Sequence, residues 1–246
     1  MTLSKDAVTA AIAPEPPQSA PEIVFPPGDL YSDEPPLETE LHLRQILLLI
    51  QCLEGLWQSR QDFYAFGNLT IYYSPRQRKS EFFRGPDFFV VLGTERRPRK
   101  SWVVWEEEGK YPNVIIELLS DSTAKTDRGL KKEIYQDTFR TPDYFWFDPH
   151  SLEFEGFHLV DGTYQPLEPT EQGWRWSEQL GLYLGVNQGQ LRFFTTDGDL
   201  VPSPEEIAKA ERQRADTERQ RADMERQRNE RLRAKLQELG VDPDQV

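Results

Sequence analysis

From Leu41 to Trp57 the chain reads LHLRQILLLIQCLEGLW, with leucine and isoleucine on nearly every side of a helix and helix-start residues between Asp33 and Glu40. This predicts a well-buried helix of roughly four to five turns. The spacing then shortens. LTIYY (69–73), DFFVVL (87–92), WVVW (102–105) and NVIIELL (113–119) are brief apolar runs separated by loops rich in Pro, Gly and charge, which predicts strands. The nearly unbroken apolar run VIIELL predicts a strand buried on both faces. TAKTDRGLKKEIYQDTF returns to helical spacing, with an apolar stripe through Leu130, Ile134 and Phe139, and YFWFD (144–148) is a further aromatic strand. Helix, three or four strands, helix and strand in that order predict a mixed α/β (α+β) core. EFEGFHLV, LYLGV and LRFFT, bounded by DGTY, NQGQ and TDGD turns, predict a β appendage on the same domain.

The two ends follow different rules. Residues 1–30 are rich in Pro and Ala without periodic apolar positions, so a flexible lead-in is expected. The folded domain is assigned to 31–200. From 204 to 240 the pattern becomes AERQRAD, TERQRAD, MERQRNE, a seven-residue repeat that ends in RLRAKLQELG. Its seam candidates are Ala210, Thr217 and Met224 with Gln213, Gln220 and Gln227, which is weak for a coiled coil. The expectation is a charged single helix or a marginal dimerising stalk, with Leu232, Leu236 and Leu239 its strongest contacts.

Charge narrows the functional classes. The net charge is −13, and the segment from Glu205 to Lys235 holds 10 basic and 8 acidic residues, so the remainder is more acidic still. Bulk electrostatics therefore exclude a protein that coats nucleic acid; contact must be local or helped by cations that neutralise carboxylates. The single cysteine, Cys52, lies in an apolar run and is expected to be a buried thiol, which excludes a disulfide framework or a zinc cluster. No apolar stretch is long enough to span a membrane, and the first residues lack the apolar segment of a signal peptide. A cytoplasmic protein without membrane association is expected.

Two acids stand where strands should be apolar. Asp87 follows Gly85-Pro86 at the head of DFFVVL, and Glu117 interrupts VIIELL. A carboxylate in a buried strand costs several kcal/mol unless it is paired, hydrogen-bonded or bound to a cation. Each acid alone has a plain structural reading, a turn aspartate and a glutamate paired with arginine. Together they suit a hard cation such as Mg²⁺, with the Leu118 carbonyl a candidate third protein ligand. Such a centre performs phosphodiester chemistry, and a nearby ammonium would add charge stabilisation.

GPDFFVVLG, NVIIELLSDST, TDRGLKKEIY and TPDYFWFDP, in this order and spacing, resemble the Uma-type restriction endonuclease family, a branch of the PD-(D/E)XK nuclease superfamily, over roughly residues 33 to 150. The resemblance implies a restriction-endonuclease-like αβββαβ core. It makes Asp87 the PD aspartate and Glu117 the (D/E) residue. The lysine usual two residues after that acid is replaced by Leu119, and in this branch its role passes to Lys131 on the next helix. The alternative for Lys131 and Lys132 is an ordinary solvated pair, and Lys132 is assigned to solvent. Asp127, Lys131 and Tyr135 are spaced to share a helix face. The family pattern also matches Glu38 and His42 on the first helix, Glu38 as an additional metal ligand and His42 as either a packing or a site residue. Ser122 and Thr123 cap the helix in preference to holding phosphate, and the basic run ERRPRK (95–100) either lines the site's side or forms a solvated hairpin tip.

The leading functional reading is an endonuclease using Mg²⁺ or Mn²⁺ on DNA, with catalytic residues Asp87, Glu117 and Lys131 and metal ligands Asp87, Glu117, Leu118 and Glu38. An inactive nuclease fold that binds nucleic acid or protein is the alternative, motivated by Leu119 and the acidic total. A homodimer would use the nuclease domain or the C-terminal helix, and a third reading makes that helix an assembly scaffold.

Overall fold

The computed structural model describes residues 39–73, 83–120 and 127–239. The lead-in, Glu38, the loop of Ser122 and Thr123 and the last seven residues lie outside them.

Helix α1 (Glu40–Leu56) starts at Thr39, whose hydroxyl accepts the His42 backbone N–H. Only one stripe of it is buried, through His42, Gln45, Ile46, Leu49, Cys52 and Leu53. Leu41, Leu43, Leu47 and Leu56 are all more than 40% exposed. The expected all-round burial is corrected here: among the described residues α1 packs on one side only.

Among the described residues, twelve strands follow. Six of them, β1 (Phe63–Phe66), β4 (Phe88–Leu92), β6 (Val114–Leu118), β7 (Asp143–Phe147), β8 (Phe154–Val160) and β9 (Thr163–Pro166), form one sheet in the order β1-β4-β6-β7-β8-β9. The sheet is mixed: β6 and β7 are parallel and the other pairs antiparallel. Every residue of β6 and β7 is buried, as continuous apolar runs require. Alternate residues point to two cores. Ile116, Leu118, Phe145 and Phe147 meet α1 and a second sheet, β10 (Arg175–Ser177), β11 (Leu182–Asn187) and β12 (Gln190–Phe194). Ile115, Leu119, Tyr144 and Trp146 meet the helical run between β6 and β7 and the residues Ile71 and Trp102. Those two belong to a small third sheet of β2 (Ile71–Tyr72), β3 (Phe83–Arg84) and β5 (Trp102–Val103).

Several boundaries differ from expectation. FYAF (63–66) was not anticipated as a strand, and WVVW (102–105) supplies only two strand residues before a tight 3₁₀ turn, Val104–Glu106. The expected β appendage divides: β8 and β9 extend the main sheet, and β10 to β12 share a core with α1. Gln45 seals that junction, donating to the Leu191 carbonyl and accepting the Leu191 N–H.

The helical run α2 consists of Asp127–Lys131, Lys132–Ile134 and Tyr135–Phe139, and its first and last parts have the wide i→i+5 turn. Tyr135 and Phe139 are buried and Ile134 packs against the same core, as the predicted stripe requires of Ile134 and Phe139, whereas Leu130 departs from it at 54% exposed.

Two polar locks hold the outer parts. Asp143 is fully buried and accepts from Ser177 Oγ at 2.6 Å, the Gln179 N–H at 3.0 Å and His158 Nδ1 at 2.7 Å, joining β7 to β8 and to the β10 edge. Asp143→Ala leaves buried donors unpaired and is expected to cost about 3 kcal/mol in urea unfolding. Helix α3 (Pro204–Glu238) begins with a reciprocal cap, Ser203 N–H to Glu206 Oε2 at 2.7 Å and Glu206 N–H to Ser203 Oγ at 3.2 Å. Glu206 also accepts two bonds from the buried Arg192 guanidinium, which holds its carboxyl down at about 2. The stability this adds is present above the ordinary carboxylate range and is lost as pH falls towards about 2. Glu206→Ala is expected to cost about 1–2 kcal/mol at neutral pH, discounted because this side chain is 44% exposed. Among the described residues no helix is long and apolar enough to cross a membrane.

Candidate active site

Asp87 immediately precedes β4 and Glu117 is the fourth residue of β6; the register Phe88↔Ile116 sets the two acids opposite each other. The placement of Asp87 is fixed from the bend after β1, where the Asn68 N–H donates to the Pro86 and Asp87 carbonyls. Gly67 permits this approach, since a Cβ there would collide with Ile46 and the Asp87 carbonyl oxygen.

Glu117 has no solvent exposure, yet its carboxylate is crowded with polar groups. Tyr135 Oη donates to Oε1 at 2.6 Å and Lys131 Nζ to Oε2 at 3.1 Å. The Asp87 N–H is 3.5 Å from Oε2. Burial drives the Glu117 carboxyl up to about 7; Lys131 opposes the rise, the neighbouring Asp87 charge adds to it, and the Tyr135 bond opposes it again. Asp87 Oδ2 accepts the Leu118 N–H at 2.8 Å. The Leu118 carbonyl accepts from the buried His42 at 3.1 Å, and because a carbonyl only accepts, Nε2 carries the proton. Thr39 Oγ1 then lies 2.8 Å from Nδ1 as its hydroxyl partner.

The structure thus gathers Asp87, Glu117, the Leu118 carbonyl, Lys131 and His42 at one end of β4 and β6. Glu38 lies outside the described residues, and among those described no group of three or more His, Cys, Asp or Glu converges. Two carboxylates and a carbonyl remain, all oxygen donors, one of them a buried acid whose ionisation is costly. That donor set fits a hard divalent cation. Lys132, assigned to solvent, instead lies with Nζ 3.3 Å from the centre of the Phe157 ring, because the wide α2 turn swings it over β8. Residues 95–100 do not line the site. The Arg96 N–H bonds Gln61 at the opposite end of β4, and Arg99 is buried on Glu107 and over Tyr64 and Trp102. The cleft formed there by Glu54, Tyr64, Phe66, Arg96 and Arg97 contains none of the three candidate catalytic residues.

Tyr135 is the contact that the sequence left without a role. Its spacing of four from Lys131 was the available signal, and a buried tyrosine hydroxyl needs a partner.

The sequence model described as "Uma2: Putative restriction endonuclease" matches residues 12–196, three quarters of the chain. The chain belongs to the Uma2 family. Its mixed sheet and connecting helix are the fold that the family resemblance implied. A comparison with curated proteins gives no significant match. Solved structures similar to this chain include one titled "Crystal structure of a putative nuclease belonging to DUF820 from Anabaena variabilis ATCC 29413", at 13% identity and a TM-score of 0.44, covering 60% of this chain and 76% of that one. The Uma2 assignment supports a nuclease class of activity.

Proposed function

We propose that this Uma2 protein is a Mg²⁺- or Mn²⁺-dependent endonuclease that hydrolyses phosphodiester bonds in DNA. The observation that carries the reading is the fully buried Glu117, held beside Asp87 and bonded by both Lys131 and Tyr135. A solvent-excluded acid next to a second acid is costly to a fold and useful to a cation site. Asp87, Glu117 and the Leu118 carbonyl would hold the ion, with Glu38 as an additional donor. When bound, the ion supplies phosphoryl polarisation and a water of lowered pKa.

The protein's own groups divide the remaining work. Lys131 is 20% exposed, so its ammonium reaches both Glu117 and an incoming phosphate and opposes the negative charge that grows in the transition state. Tyr135 fixes the Glu117 carboxylate orientation, and His42 fixes the Leu118 carbonyl. Tyr135→Phe is expected to lower activity about 10- to 100-fold while leaving the fold intact, read as plasmid-nicking rate beside far-UV circular dichroism. The reading as a whole is tested by incubating supercoiled plasmid with the protein and Mg²⁺ or Mn²⁺. Nicking or linearisation is expected, and cutting that persists without divalent ions contradicts it.

A further inference from the structure

Beyond its first turn, α3 leaves the body of the protein: every residue from Pro204 to Lys235 is exposed, over a helix about 52 Å long. Its root is rigid, fixed by Ser203, Glu206 and Arg192. A long exposed helix with a seven-residue repeat either stands alone or pairs, and the charges choose.

Two stripes repeat along it. One runs through Ala215, Ala222, Asn229 and Leu236 with Glu211, Glu218, Glu225 and Leu232 between them. Its flanks are Arg219, Arg221, Arg226, Arg228, Arg233 and Lys235, so two copies meeting there would set basic flanks against each other. The other stripe takes Ala210, Thr217 and Met224 as a positions and Gln213, Gln220 and Gln227 as d positions. Its g positions are Asp216, Asp223 and Glu230, and its following e positions are Arg221, Arg228 and Lys235. In a parallel pair each g faces the e of the partner's next heptad, which gives acid against base at all three levels on both sides. An antiparallel pair would set g against g and e against e, acid on acid and base on base. In the parallel arrangement the like-sign contacts are Lys209 with Arg214 at the root and Arg231, at the next a position, with its own copy.

We propose that α3 is a parallel, in-register pairing device for a second copy of this chain, with its seam on Ala210, Thr217 and Met224 and its partner selected by Asp216, Asp223 and Glu230. The small and polar seam makes the pair weak and reversible, and the charge pattern makes it specific. Leu232, Leu236 and Leu239 fall at b and f and lie outside the seam. The inference stands apart from the nuclease reading, since it uses no residue of that site.

The test is sedimentation velocity on the full chain from about 1 to 200 µM. The mass is expected to rise from 28.7 kDa towards twice that value. Reversing the g acids (Asp216→Lys, Asp223→Lys, Glu230→Lys) should leave a monomer, as should reversing the e bases (Arg221→Glu, Arg228→Glu, Lys235→Glu). Mixing the two variants should restore the dimer as a one-to-one heterodimer, because all six facing pairs are again opposite in sign. Loss of helix in a single variant cannot mimic that rescue. A wild-type mass that stays at 28.7 kDa, a dimer that survives the g reversal, or a mixture that stays monomeric overturns the proposal.

Discussion

Asp87→Ala and Glu117→Ala are each expected to lower metal-dependent plasmid cleavage by about 10³-fold or more, the several kcal/mol of transition-state stabilisation that a correctly held cation provides. The two substitutions should behave alike in activity and differently in stability. Asp87→Ala removes the acceptor of the Leu118 N–H and exposes a backbone donor at the start of the crossover to α2. Glu117→Ala removes a buried charge together with its two donors' partner, leaving Lys131 and Tyr135 facing a void. Cleavage retained by either variant at near wild-type rate would place the chemistry elsewhere on the protein.

Glu117→Gln isolates the electrostatic part. With its folded-state carboxyl raised to about 7 against an ordinary 4.5, Glu117 binds more protons in the folded than in the unfolded state between those values. Its favourable contribution is therefore fully present below about pH 4.5 and is lost as pH rises through 7, by about 3 kcal/mol in all. Metal-free wild-type protein should lose stability to urea across that window. Glu117→Gln keeps the shape and one acceptor oxygen, enough for Tyr135, while its NH2 faces Lys131; it has no proton to lose, so its stability should be flatter with pH. It should be no better than Glu117→Ala in cleavage. Saturating Mg²⁺ should recover wild-type stability at pH 8 and leave the glutamine variant unchanged. A wild-type stability that does not fall between pH 5 and 8 would mean that Glu117 is not held in this costly state.

The main elements were legible wherever one local pattern governed them. VIIELL is buried on both faces, and its unbroken apolar run said so; Glu117 announced itself because it breaks that run. Asp87 and Asp143 illustrate the limit. Both follow a proline and open an apolar strand, yet Asp87 stands opposite Glu117 while Asp143 locks Ser177, Gln179 and His158. Strand pairing, a long-range property, separates the two, and local sequence does not contain it. The family resemblance supplied what the local pattern lacked, including the displaced Lys131. The exposed leucines of α1 and Leu130 of α2 differ from expectation for a related reason: which side of a helix is covered depends on what packs against it.

The central claim is that Asp87 and Glu117 hold a divalent cation, and titration calorimetry with Mn²⁺ at pH 6.5 tests it most directly. Burial raises the Glu117 carboxyl to about 7, so binding must expel the proton it carries there. The account predicts a specific site filled with release of a fraction of a proton, seen as an enthalpy that changes with the buffer's ionisation heat, and its loss in both Asp87→Ala and Glu117→Gln. Absence of binding to the folded wild type, or binding that both variants retain, would contradict it.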